Sequence, residues 1–255
     1  MKSSIFALRM KVEVKRIVLS AAIPAFLILV LYLIKILEVG MDWDFKPLGV
    51  YPLEQRGVFG IFAHPLVHSS FRHLFANTLP LFFLSWCLFY FYRDIAPYIL
   101  YAIWIGCGLI TFLIGKPGWH IGASGVIYGL AFYLFFSGLL RKHVPLIALS
   151  LLITFLYGGL WWNMIPHFAK ASTSWEGHLS GAIAGTLCAI GFMRWGPQRP
   201  DPFADDEEEV SESDTTYYKE SEENDSEVQN QEATNSVVST TECKEKQNSA
   251  NNTFC

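Results

Sequence analysis

The sequence has 255 residues, 52% of them hydrophobic, and a formal net charge of −4 that averages two unlike parts. Residues 1–200 carry 16 Lys and Arg against 7 Asp and Glu, whereas residues 201–255 carry 3 Lys against 16 Asp and Glu. The net charge of the whole chain therefore describes neither part, and the two parts are considered separately. The five cysteines include no CxxC pair, so neither a disulfide framework nor a cysteine-bound metal is predicted.

The first predicted element is a membrane span that follows a basic N-terminal segment, residues 1–16. The apolar run from Ile17 to Leu37 has roughly the 20 residues that a helix needs to cross a hydrocarbon core. No small-x-small cleavage pattern follows it closely, which favours a retained span over a removed signal peptide. The next segment, residues 38–71, is a loop whose aromatic residues predict that it lies partly in the membrane interface.

Six apolar segments are predicted to be membrane spans. They are residues 17–37, 73–92, 96–115, 123–140, 144–162 and 177–195. With a cytoplasmic N-terminus, the inside segments carry most of the Lys and Arg, as the positive-inside rule requires. The sequence therefore predicts an all-α, polytopic membrane protein. Its domain is a bundle of six transmembrane helices over residues 17–196, in the plasma (inner) membrane with both termini in the cytoplasm.

The last segment, residues 197–255, is rich in Glu, Asp, Ser, Thr, Asn and Gln. Such a composition cannot bury enough apolar surface to offset the entropy of ordering the chain, so an acidic disordered tail is predicted. The tail is either a solubilising segment or an interaction segment, whose partner the sequence does not identify.

Ser124 opens the fourth predicted span, in the motif Gly122-Ala123-Ser124-Gly125. Polar residues at membrane depth are costly and usually face a protein interior or a water-filled cavity. In the first turn of a helix, a serine oxygen feels the positive end of the helix dipole, which favours the negative charge that develops on a nucleophile. The alternative is that Gly125 and Gly129 form a packing face and Ser124 is only a small neighbour.

His178 lies at the start of the sixth predicted span, close to Gly181 and Gly185. These glycines leave one helix face nearly bare, so that a neighbouring helix can come close. A single histidine near a helix end is more often a surface or hydrogen-bonded residue than a catalyst. In the predicted topology, however, spans four and six both begin on the outer side. His178 and Ser124 therefore lie at similar depth and are predicted to act as base and nucleophile.

His73 and Asn77 begin the second predicted span and are four residues apart, hence on one helix face. That span also starts outside, so the pair reaches the depth of Ser124. Acyl transfer needs donors aimed at the developing oxyanion, and both side chains suit this role. The three histidines of this stretch, His64, His68 and His73, are also potential metal ligands. No HExxH motif or acidic ligand lies on an adjacent span, however, and Asn is a poor zinc ligand, so no metal is predicted.

Tyr128 lies one helical turn after Ser124. Its ring is predicted to pack under the His178 imidazole and to hold its orientation, a role that an acid fills in a catalytic triad. No Asp or Glu occurs in the fourth span, and Glu176, the only acid near His178, is expected in a solvent-exposed loop. The sequence therefore favours a Ser–His dyad.

Together these motifs resemble those of the rhomboid family of intramembrane serine proteases, over roughly residues 15–196. Three motifs of the family have counterparts in this sequence. They are the GxSG motif with the tyrosine that follows it, the histidine with two spaced glycines, and the HxxxxHxxxN element. The matching residues are Gly122, Ser124, Gly125 and Tyr128, then His178, Gly181 and Gly185, then His68, His73 and Asn77. The Trp-Arg pair that many members carry in the first loop is missing, because Trp43 is followed by Asp44.

The resemblance implies an intramembrane serine endopeptidase of the bacterial six-span form, with a Ser124–His178 dyad and with His73 and Asn77 in the oxyanion hole. Its substrates would be transmembrane segments of membrane proteins, cleaved near the outer face without a cofactor. The lipid bilayer is its other expected partner, and no nucleic acid is expected. Two alternatives come from other classes: a catalytically silent relative that binds transmembrane segments, and a transporter, which predicts an internal repeat that the sequence does not show.

Overall fold

The computed structural model describes residues 2–142, 144–157, 162, 164–165 and 174–198. Over these residues the chain is helical and contains no strand, only an isolated antiparallel bridge between Val50 and His120. The α-helices are α1 (Lys2–Gly40), α2 (Gly60–Ala63), α3 (Phe71–Phe91), α4 (Ala96–Ile114), α5 (Ser124–Arg141), α6 (Val144–Tyr157) and α7 (Trp175–Gly191). Three single turns of 3-10 helix, Lys46–Leu48, Gln55–Gly57 and His64–Leu66, lie between α1 and α3.

The chain divides into two units, Met1–Pro200 and Asp201–Cys255, and every described residue lies in the first. Residues 199–255 lie outside the described residues, so the disorder of the acidic tail stays a prediction.

Four of the described helices are long and apolar enough to cross a membrane: Met10–Gly40 within α1, and α3, α4 and α5. The predicted fold class, an all-α polytopic membrane protein, is thus confirmed. The fifth and sixth predicted spans correspond to α6 and α7, which are described over 14 and 17 residues. Since the segment predicted at 144–162 continues past Tyr157 into residues that are not described, the count of six spans stays a prediction.

Serine side chains begin two of these helices. The Ser70 hydroxyl accepts a hydrogen bond from the His73 amide at the start of α3, and the Ser174 hydroxyl accepts one from the Gly177 amide at the start of α7. The first amides of a helix have no partner within it, and a serine cap satisfies one of them. Both helices therefore begin slightly before the predicted spans do.

α5 is the central helix of the bundle. Of its apolar window 67% is buried inside the protein, against 11% for α1. It packs against α3, α4, α6 and α7, and its side chains at Leu130, Tyr133 and Leu134 are fully buried. A residue at the first turn of α5 is consequently held by a rigid part of the fold.

Arg141 joins the other end of α5 to the end of α7. The sequence places this arginine among the positive charges of an inside segment, but its side chain is buried. Its guanidinium donates to the carbonyl oxygens of Phe192 and Trp195, both at 2.6 Å, and to that of Pro197 at 2.8 Å. A buried arginine needs such acceptors, and the last carbonyls of a helix lack partners within it.

The contact between α5 and α7 is the most extensive one between helices of the described part, because glycines let the two backbones come close. A Cβ atom added at Gly181 would collide with the carbonyl oxygen of Gly125, and one added at Gly185 with that of Gly129. Both obstacles are backbone atoms, which no side-chain movement can clear. The bare face predicted for the sixth span is thus the surface on which α5 lies.

Replacing Gly185 by Ala should destabilise the protein by about 1–3 kcal/mol or more, because the added methyl group forces the helices apart. Gly191→Ala is the matched control, since nothing lies within 4 Å of a Cβ added at this last residue of α7. Alanine there gains up to about 1 kcal/mol of helix propensity. Thermal unfolding in detergent micelles compares the two variants, and equal unfolding temperatures would contradict the close packing of α5 on α7.

Candidate active site

Ser124 is the first residue of α5, and the turn before it is shaped by Gly122. Gly122 has a φ of 108°, in the left-handed region that favours glycine. An added Cβ there would also lie only 2.7 Å from Cε1 of His73. The glycine of the motif is therefore required twice, for its backbone conformation and for the approach of the His73 ring.

The structure brings Ser124 and His178 together across the glycine contact of α5 and α7. The Oγ of Ser124 lies 3.1 Å from Nε2 of His178, within hydrogen-bond distance. The His178 side chain is buried in the first turn of α7, while Ser124 is partly exposed. A serine hydroxyl hydrogen-bonded to a histidine is the arrangement that activates a nucleophile.

The Tyr128 ring stacks on the imidazole of His178. The ring centroids are 4.2 Å apart and the planes differ by 10°. Since Tyr128 is buried on α5, one face of the imidazole rests on a side chain that cannot readily move. The packing expected from the spacing of Ser124 and Tyr128 is therefore present, and it restricts the orientation of the ring.

His73 and Asn77 face the same turn from α3. A Cβ added at Gly122 would lie 3.1 Å from Nε2 of His73 and 3.8 Å from Nδ2 of Asn77. The buried Nδ2 of Asn77 has no hydrogen-bond partner among the described residues, and Nδ1 of His73 lies 3.2 Å from the Ser69 hydroxyl. A buried donor without a partner is costly and requires an explanation. Nδ2 of Asn77 is a donor that can serve an acceptor placed beside Gly122.

His68 contacts the turn that precedes Ser124. Its Nε2 accepts a hydrogen bond from the amide of Ala123, at 3.4 Å, immediately before Ser124. Burial, and to a lesser degree the neighbouring His73, lowers the pKa of His68 to about 3, so the ring is neutral at pH 7. Because Nε2 is the acceptor, the proton of the neutral ring lies on Nδ1.

A buried ion pair on α1 extends this support. The ammonium group of Lys35 lies 2.8 Å from a carboxylate oxygen of Glu38 and donates to the carbonyl oxygen of His68 at 2.9 Å. The other carboxylate oxygen of Glu38 accepts from the amide of Phe45, at 3.3 Å. These bonds join the C-terminal end of α1 to the following loop and, through His68, to the residue before Ser124.

The expectation that Glu176 is solvent-exposed is wrong. The residue is buried, with 5% of its surface exposed, because α7 already begins at Trp175 and places Glu176 in its first turn. An acid at this position is favoured by the helix dipole. One of its carboxylate oxygens lies 3.8 Å from the ammonium group of Lys116.

A protein-family model, the Rhomboid domain, matches residues 55–195, which is more than half of the chain. The chain belongs to the rhomboid family. It is a multi-pass membrane protein of a family of intramembrane proteases, as the motifs predict. Within the described residues, this rhomboid holds no group of three or more His, Cys, Asp or Glu side chains suited to a metal ion.

Three similar proteins are compared with this chain, and one of them is named as a rhomboid protein. This rhomboid is 36% identical to an uncharacterized protein of Mycobacterium tuberculosis over 177 residues, 66% of this chain and 72% of the other. An uncharacterized protein of Mycobacterium leprae is 32% identical over 177 residues, 66% of this chain and 69% of the other. A protein of Acanthamoeba polyphaga mimivirus that is named as a rhomboid protein is 28% identical over 159 residues, 58% of this chain and 82% of the other.

An arginine and a tryptophan do meet in this rhomboid, although no Trp-Arg pair occurs in its first loop. The guanidinium of Arg56 lies 3.8 Å from the ring centre of Tyr51 and 5.5 Å from that of Trp119, in the loop before α5. The two aromatic rings are in edge contact, with centroids 5.1 Å apart. Sequence spacing could not predict this cluster, because it joins two loops that are distant in the chain.

Two further residues near the site were missed by the sequence analysis. Cys107 on α4 donates to the carbonyl oxygen of Gly177, beside His178, at 3.6 Å. His120 lies four residues before Ser124 and bonds to the cap of α7. The position of His120 just before the serine motif was the one available signal, whereas nothing in the sequence relates Cys107 to α7.

Proposed function

We propose that this rhomboid is an intramembrane serine endopeptidase that cleaves transmembrane segments near the outer face through a Ser124–His178 dyad. The observation that carries the proposal is the 3.1 Å separation of the Ser124 hydroxyl and Nε2 of His178. Both side chains belong to helices whose backbones are in direct glycine contact. Their separation is therefore set by the fold and not by two mobile side chains.

In the first step, Nε2 of His178 takes the proton of the Ser124 hydroxyl while Oγ attacks the carbonyl carbon of the scissile peptide. The tetrahedral intermediate then collapses, the carbon–nitrogen bond breaks, and the leaving amine takes the proton from His178. The product is an acyl-enzyme on Ser124. The Tyr128 ring keeps the imidazole aimed at Oγ throughout, because the two rings are stacked.

The oxyanion of this intermediate would lie beside Gly122, where Asn77 and His73 converge. The unpartnered Nδ2 of Asn77 gains an acceptor only when the negative oxygen forms. If the Ser69 hydroxyl donates to Nδ1 of His73, the proton of the His73 ring lies on Nε2, which faces the same space. Donors that are satisfied only in the transition state lower the barrier and not merely the energy of bound substrate.

Hydrolysis completes the reaction. A water molecule gives a proton to His178 and attacks the acyl carbon, and Ser124 regains its proton as the carboxylate product leaves. Ser124 is partly exposed, which is consistent with water reaching it from a polar cavity between the outer ends of α3, α5 and α7.

The substrate proposed is a transmembrane segment that unwinds near the outer face and presents an extended backbone with small residues at the cleaved position. The orientation proposed has both termini in the cytoplasm of a cell whose plasma (inner) membrane holds the protein. Its support is the excess of Lys and Arg in the segments assigned to the inside.

The protein reconstituted in liposomes with a model transmembrane substrate should cleave it, and Ser124→Ala or His178→Ala should reduce cleavage to the level of empty liposomes. Ser20→Ala is the matched control, because Ser20 lies on α1 and bonds to Ile17 and Trp86. Cleavage retained in either dyad variant would overturn the assignment. Substrate binding without cleavage by the wild type would favour a silent relative that only binds transmembrane segments.

Asn77→Leu should lower kcat by about 10²-fold or more with little change in KM, since the lost donor acts on the transition state. Thr78→Val is the matched control: it makes the same kind of change in the same turn of α3, but Thr78 bonds to Tyr32 on α1 and to its own helix. Steady-state cleavage rates over a range of substrate concentrations separate kcat from KM. An equal effect of the two substitutions would exclude Asn77 from the oxyanion site.

A further inference from the structure

His120 makes two ring hydrogen bonds in the loop that leads to Ser124. Its Nδ1 lies 2.6 Å from the hydroxyl of Ser174, and its Nε2 lies 2.9 Å from the carbonyl oxygen of Lys116. The first of these bonds leaves the loop and reaches the element that carries His178. His120 thus connects the segment before the proposed nucleophile to the segment before the proposed base.

Ser174 is the residue that starts α7. Its hydroxyl accepts from the amide of Gly177 at 3.1 Å, and its carbonyl oxygen accepts from the amide of His178 at 3.3 Å. The side chain and the backbone of Ser174 therefore both set the first turn of the helix, in which His178 lies. A shift of Ser174 would be passed directly to the His178 backbone.

The hydrogen bonds of His120 fit one proton arrangement of the neutral ring. The Lys116 carbonyl can only accept, so Nε2 of His120 carries a proton and donates it. Nδ1 of the neutral ring is then an acceptor, and the Ser174 hydroxyl, which accepts from the Gly177 amide, donates to it. Every polar atom in this chain of bonds has a partner, and such a fully satisfied network restricts the positions of its members.

Two backbone hydrogen bonds hold His120 in its place in the loop. His120 donates to the carbonyl of Val50 at 2.8 Å and accepts from the amide of Val50 at 3.0 Å. The Nε2 edge of the ring lies close to Gly115, where an added Cβ would come within 3.1 Å of Nε2. Since the backbone of His120 is held in place in the loop, its side chain can in turn hold Ser174 in place.

We propose that His120 is a positioning residue, which aligns His178 with Ser124 by fixing the cap of α7 to the loop that precedes α5. The proposal rests on the proposed protease function. The glycine contact sets how far apart α5 and α7 lie, and the bond from His120 to Ser174 sets where the first turn of α7 begins relative to Ser124. A misplacement of about 1 Å between reacting groups can cost about 10²-fold in rate, so this bond matters for catalysis.

The kinetic test compares two replacements of His120 that keep different bonds. The oxygen of Asn at this position can accept the Ser174 proton as Nδ1 does, whereas the amide of Gln reaches toward the Lys116 carbonyl as Nε2 does. His120→Ala and His120→Gln should lower kcat by about 10- to 100-fold with KM unchanged, and His120→Asn should restore most of it. Ser174→Ala added to His120→Ala should cost no more than Ser174→Ala alone, since both break one linkage.

Equal rates for the Asn and Gln variants would overturn the proposal, as would an unchanged kcat in His120→Ala. Thermal unfolding of each variant in micelles checks that the folded fraction is the same, so that a loss of rate is not a loss of folded protein. If the wild type cleaves no substrate, the proposed function itself fails, and a second measurement decides the coupling alone.

That measurement uses protein labelled with ¹⁵N at its seven histidines, with the His178 ring signals assigned by comparison with His178→Ala. His120→Ala should shift the His178 signals, and His120→Asn should return them to the wild-type positions while His120→Gln does not. Signals of His178 that stay in place in all three variants would contradict the alignment, whether or not the protein is a protease.

Discussion

Because glycines of α7 lie directly against backbone carbonyls of α5, the helices that carry Ser124 and His178 approach to a distance that larger residues do not allow. The same two helices are joined at their other ends, where Arg141 of α5 binds carbonyls at the end of α7. The distance between Ser124 and His178 thus follows from backbone packing along the whole length of the two helices. The other candidate site residues lie on α3 and in the loop before α5. They contribute polar groups near Ser124 and His178, whose distance the packing of α5 on α7 already sets.

The sequence was sufficient for the main features of the fold because they depend on local patterns. Apolar length predicts the helices that can cross a membrane, and the spacing of Gly181 and Gly185 predicts a bare helix face. The positions of Ser124 and His178 at the starts of two helices predict their proximity, which the structure shows at 3.1 Å. The stacking of Tyr128 on His178 likewise follows from one helical turn of separation.

What the sequence could not predict depends on contacts between distant segments. Glu176 looked like a loop residue, because the start of α7 is fixed by the Ser174 cap, which has no strong sequence signal in this stretch. The positive-inside rule assigns Arg141 to an inside segment but does not predict its partners, which are carbonyls of residues more than 50 positions away. The bond of His120 to Ser174 spans 54 residues of sequence, so only a three-dimensional fold reveals it.

Covalent labelling distinguishes a Ser124 that is activated by His178 from an ordinary serine. A fluorophosphonate reacts with an activated serine, and peptide mass spectrometry identifies the residue that carries the adduct. We expect one adduct, on Ser124, that disappears in His178→Ala protein whose thermal unfolding is unchanged. An adduct on another serine, labelling that persists without His178, or no labelling of the folded wild type would contradict it.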